Sequence, residues 1–226
     1  MTAGDPTEAV HDAVFGIGDD AVRDQFMSHF GDKITEFEHV MTLVYRRWQD
    51  FDSRFAKDRD SATVVAALFA VVARLLLSMK LLMLGHVALS GAAKRQVLEA
   101  LAQAFLFSRQ GWPYLKHAWE GRFSANKALD VAVRRSGELK LNVDALGVLS
   151  QARDFYNKLS HATIFAIADV VDFERSGSYL GAFFDEGKLP AYRDEVFARL
   201  SLAKVLPSAI DGVAGNMREW PQLRAS

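Results

Sequence analysis

Ser150, Arg153, Asp154, Asn157 and His161 recur at helical steps, which gathers them on one face of a helix. An imidazole within a few turns of a guanidinium is a pair suited to RNA cleavage. The histidine moves a proton to or from the ribose 2′-hydroxyl, and the arginine stabilises charge building on the phosphorane. On this reading His161 is the catalytic acid/base, Arg153 stabilises phosphate charge, and Asn157 or Asp154 orients them. The plainer and favoured reading makes the same face the solvent side of an amphipathic helix, with Asp154 and Lys158 as an i,i+4 pair.

A second group lies on two apolar segments. Arg95 and Glu99 are spaced i,i+4 with the base first, the weaker order for a simple surface pair, and Arg74 is among the few other charges nearby. Buried charges need partners. The expectation is therefore a buried polar cluster of Arg74, Arg95 and Glu99, with Tyr156 or His161 in reach, acting as a structural clamp or as a binding site.

Other chemistry is weakly represented. Glu8–His11 and Glu36–His39 have Glu-x-x-His spacing, but a di-iron site also needs carboxylates from two more helices, and Glu99 is the one acidic residue on the two central segments. No metal or other cofactor is expected. No phosphate-cradling glycine loop, Gly-x-Ser-x-Gly or dinucleotide fingerprint is present. Trp112, Tyr114 and Trp119 beside Lys116 and Arg122 have the composition of a base-stacking strip, although such aromatics more often pack into a core.

The elements that must position these groups are helical. The run Ala62–Leu89 is apolar except at Thr63, Arg74, Ser78, Lys80 and His86, and the segment 90–108 follows it. A helix apolar nearly all round belongs in a protein interior or a membrane. Arg74 and Lys80 would cost about 5–7 kcal/mol in a bilayer against about 4–5 kcal/mol returned by Leu, Val and Phe, so a buried soluble helix is expected and membrane insertion is not. Before this run, Ile34, Phe37, Met41, Val44, Tyr45, Trp48, Phe51 and Phe55 mark a long amphipathic helix. Gly31 is expected to end a shorter helix ahead of it, and Ser61 to cap the central one. Asn142 or Asp144 opens a helix reaching about His161. A small β-hairpin is expected over 179–192, then a helix from Ala191 that Pro207 breaks. The fold class is all-α, an up-and-down helical bundle around a buried helix pair, with residues 1–20 a flexible segment and 21–226 one domain.

Composition sets broad limits. The 226 residues carry 27 basic and 28 acidic groups, so no overall field favours nucleic acid. The chain has no cysteine, which excludes disulfides and thiolate metal sites and suits a cytoplasmic location. Residues 1–60 hold 7 basic against 13 acidic groups, whereas 109–140 hold 7 against 3.

Two pieces together carry a family resemblance: Leu84-Gly85-His86 leading to Lys94-Arg95-Gln96-Val97-Leu98-Glu99, and Tyr156-Asn157-Lys158-Leu159-Ser160-His161. They resemble a group of uncharacterised bacterial helical proteins that is similar to the HEPN (higher eukaryotes and prokaryotes nucleotide-binding) superfamily. The resemblance implies a helical bundle, a homodimer, and a setting in bacterial defence or toxin–antitoxin systems. Active members are metal-independent RNases using Arg-x(4–6)-His. Here His161 matches the histidine, while seven residues separate it from Arg153. Three functions follow as expectations: a non-catalytic or regulatory bundle acting through protein or nucleotide/RNA contacts, a HEPN-type RNase using His161 and Arg153, or a membrane-associated or metal-binding bundle.

Overall fold

The protein is all-α. Its structure, a computed structural model, describes residues 5–160, 167, 170–172 and 177–221. The helices are α1 (Pro6–Phe15), α2 (Asp19–Phe55), α3 (Arg59–Leu82), α4 (Val87–Phe107), α5 (Tyr114–Trp119), α6 (Ala128–Arg134), α7 (Val143–Ser160) and α8 (Leu189–Met217). The core lies where α3 and α4 pack on each other, with α2 and α8 against α3 and with α6 and α7 against α4.

Helix α3 begins in a capping box. Asp58 accepts from the Ser61 backbone N–H at 2.8 Å, and the Ser61 hydroxyl accepts from the Asp58 N–H at 3.0 Å. Asp58 is thus the N-cap and Ser61, expected to be the cap, is the third helical residue. The helix buries Val64, Val65, Leu68, Val71, Val72, Leu75, Met79 and Leu82. It stops because Gly85 turns the chain at φ +79° and the Gly85 N–H bonds the Leu82 carbonyl at 2.8 Å. A Cβ at Gly85 would sit 1.8 Å from the Phe183 carbonyl oxygen, so only glycine fits this approach.

Two expected breaks are absent. Helix α2 runs through Gly31 because Val22, Phe26, Ile34, Phe37, Met41, Val44, Phe51 and Phe55 form one continuous buried stripe on both sides of it. An interior glycine costs about 1 kcal/mol, less than one such side chain returns on burial. Helix α8 likewise continues through Pro207, with Leu200, Ala203 and Leu206 buried before it and Ile210, Val213 and Met217 after it.

The hairpin expected over 179–192 does not form. Asp185 accepts from the Gly187 N–H at 2.9 Å and caps a 3-10 turn, Glu186–Lys188, and Pro190 enters the first turn of α8, where its missing N–H is not needed. The strand pairing among the described residues is a two-residue antiparallel contact, β1 (Val171–Asp172) with β2 (Gly177–Ser178). Lys188 ties it to the helices by donating to the Val171 carbonyl at 2.9 Å.

Pairs between α2 and α8 rise together along both chains. Phe26 meets Tyr192 with centroids 4.8 Å apart, Glu36 meets Lys204 at 2.5 Å, and Arg47 grips Asp211 through two oxygens. The two helices therefore run in the same direction.

Candidate functional site

The buried charge cluster is built on Lys94, Tyr156, Glu195 and Arg199, brought together from α4, α7 and α8. Lys94 Nζ donates to Tyr156 Oη at 2.6 Å, and the Tyr156 hydroxyl reaches Glu195 Oε1 and Oε2 at 3.0 and 3.1 Å. Glu195 pairs with Arg199, whose Nη1 lies 2.5 Å from Oε2. Arg199 also donates through Nε to Ser78 Oγ at 2.8 Å and through Nη2 to Ser90 Oγ at 2.5 Å. Lys94 is 3 % exposed and Arg199 0 %. Lys94 lies on a largely apolar helix, and Glu195 precedes Arg199 by one turn in the favourable i,i+4 order.

Two cations share one carboxylate here, and protonation responds. Burial, helped by the Arg199 charge, pulls the Lys94 ammonium down to about 7. Burial pushes Tyr156 upward, and the Glu195 charge adds to it. Burial alone would raise Glu195, but Arg199 and Lys94 outweigh it and hold the carboxyl below its ordinary value. Each of the four side chains has a partner within this buried network, which joins α4, α7 and α8 and reaches the α3–α4 corner through Ser78 and Ser90.

Arg74 does not join this cluster. It is half-buried on α3 and makes no hydrogen bond or ion pair with Arg95, Glu99 or Tyr156 among the described residues. Arg95 and Glu99 do pair, at 2.9 Å, and Arg95 Nη2 donates to Asn126 Oδ1 at 2.6 Å. The clamp anticipated on Arg74, Arg95 and Glu99 thus gives way to one on Lys94, Glu195 and Arg199, with Tyr156 the shared member.

On the polar face of α7, Arg153 is buried and already neutralised. It donates to Asp130 at 2.7 Å, to Asp154 at 2.8 Å, to the Asn126 carbonyl at 3.3 Å and to Ser150 Oγ at 3.4 Å. Burial opposes the charge, yet Asp130 and Asp154 more than compensate and raise the pKa above its ordinary value. Asp154 is exposed and turned to Arg153, and Asn157 is half-buried. His161 lies outside the described residues. Glu36, of the Glu-x-x-His pair on α2, is held down to about 2 by Lys204 and Lys33. Among the described residues no group of three metal-capable side chains converges.

An open apolar groove of about 530 Å³ lies between α2 and α3, lined by Met27, Phe37, Met41, Tyr45, Leu76 and Met83 among others. Beside it Tyr45 stacks on Trp48 at 5.6 Å and Trp48 meets Phe69 at a tilt, centroids 4.7 Å apart, forming an aromatic ridge whose outer members, Tyr45 and Phe69, are exposed. Sequence reading assigned Tyr45 to an inward stripe and did not foresee this surface. No family model, curated protein or solved structure matches the chain.

Proposed function

We propose that the chain is a cytoplasmic, non-catalytic regulatory helical bundle of the HEPN-like kind, acting through protein contacts at the α2–α3 face. The observation that carries this reading is the contrast between its polar and apolar groups. Arg153, the phosphate-binding candidate, is neutralised by two carboxylates, and Lys94, Tyr156, Glu195 and Arg199 satisfy one another internally. The apolar groove and the Tyr45–Trp48–Phe69 ridge face outward. A contiguous exposed apolar surface is the usual mark of a protein contact site.

The test places the photo-crosslinker p-benzoylphenylalanine at position 45 and, as a control, at exposed position 138. A polypeptide adduct from position 45 alone supports the reading. The absence of any adduct overturns it, as does RNA cleavage by wild type in chelator-containing buffer that His161→Ala abolishes.

A further inference from the structure

Sulfur is unevenly placed in this chain. It has six methionines and no cysteine. Met1 lies outside the described residues, and Met217 on α8 is fully buried. The other four, Met27, Met41, Met79 and Met83, all line the groove between α2 and α3. Met41 and Met79 are each only 3 % exposed, whereas Met27 is 39 % exposed and Met83 is half-buried. Met27 lays its methyl over the bare backbone of Gly31, 3.7 Å from where a Cβ there would stand, and Met83 ends α3 from the other side of the groove. Among the described residues, the methionines open to solvent therefore both belong to one surface, and no thiol competes with them for an oxidant.

We propose that Met27 and Met83 are an oxidation site, converted by hydrogen peroxide to methionine sulfoxides that switch off protein contact at the α2–α3 face. The inference rests on the protein-contact reading above and adds how that contact is regulated. In the reaction a sulfur lone pair attacks one peroxide oxygen, and the O–O bond breaks as the S–O bond forms. The departing hydroxide takes the proton from the transferred oxygen and leaves as water. Each sulfur loses two electrons and each peroxide gains two. A thioether is a flexible apolar group suited to filling an irregular contact, whereas its sulfoxide is polar and chiral. The new oxygen is an acceptor that keeps its water, so the face shared by Met27 and Met83 loses the apolar character its contact uses. Met41 and Met79, packed into the core, are shielded, so the fold survives the change. Enzymatic reduction of the sulfoxides, by one reductase for each epimer, restores the thioethers.

The test treats the intact protein with dilute hydrogen peroxide and maps the added oxygen by peptide mass spectrometry. Oxygen is expected on Met27 and Met83 before Met41, Met79 and Met217, with unchanged helical circular dichroism. Oxidation of Met217 at the same rate, or loss of helix at that stage, would mark general unfolding and overturn the inference. The contact itself is read by p-benzoylphenylalanine at position 35, an exposed site on the same groove lining. Its polypeptide adduct should be lost on oxidation and should return after treatment with both methionine sulfoxide reductases. It should persist through peroxide in the M27L/M83L variant, where leucine keeps the bulk without an oxidisable sulfur. An adduct that survives oxidation of wild type, or is lost equally from the double variant, overturns the switch and leaves the protein-contact reading standing. If neither position 35 nor position 45 captures a polypeptide before oxidation, that reading falls and the switch falls with it.

Discussion

Ser78 and Ser90 exchange hydrogen bonds across the α3–α4 corner, each hydroxyl donating to the other's carbonyl, at 2.9 and 2.5 Å. Each hydroxyl oxygen then accepts from Arg199, so one guanidinium on α8 locks a corner formed more than a hundred residues earlier. The corner and the lock are both buried.

Replacing Arg199 by Leu should therefore be among the most damaging single changes. It strands Glu195 in the interior and frees two serine oxygens, a loss of about 3–5 kcal/mol. Arg199→Lys should lose less, because it keeps the charge beside Glu195. Urea unfolding followed by circular dichroism measures both, and a loss below that of an ordinary surface change would refute the lock.

Stability should depend on pH through Lys94. Its ammonium titrates at about 7 in the fold against 10.5 ordinarily, so between these values the unfolded chain holds a proton that the fold lacks. Stability then rises with pH in that window, by at most about 1.4 kcal/mol per pH unit, and the penalty is complete below it. Glu195 acts oppositely placed on the scale: its contribution is present above its ordinary 4.5 and is lost as pH falls through its lowered folded value. Lys94→Met should flatten the alkaline rise and leave the acid loss intact. Denaturant titrations from about pH 2 to about pH 10 decide it.

At Gly85 any side chain meets both a left-handed φ and the Phe183 carbonyl. Gly85→Ala should cost at least about 2 kcal/mol, read as a lowered thermal midpoint. An unchanged midpoint would mean the turn is not held as described.

Asp58→Ala removes one half of the α3 capping box and should cost about 1 kcal/mol. Asp58→Asn, which keeps an acceptor for the Ser61 N–H, should recover most of it in the same thermal assay.

Much of this architecture is legible in the chain because long apolar stripes dominate local signals. The stripe from Ile34 to Phe55 marks α2, and Asn142, which accepts from the Asp144 and Ala145 N–H groups, opens α7 as expected. Gly31 and Pro207 mislead because a local breaker costs less than the stripes on its two sides return. Pro190 misleads differently: its missing N–H suits an edge strand and a first helical turn equally well. The clamp was harder to read. Lys94 and Arg95 are adjacent and about 100° apart around the helix, and nothing local says which turns inward. Glu195–Arg199 looks like a surface pair until α3, α4 and α7 enclose it. The exposed apolar side of α3, with Phe69, Leu76 and Leu77, was hidden because a helix apolar on both sides shows no period until one side is seen to be covered.

Photo-crosslinking from position 45 of the intact protein, beside the control at position 138, tests most directly whether the α2–α3 face is a protein contact surface. The account predicts a polypeptide adduct from position 45 and none from position 138. No adduct from position 45 would contradict it.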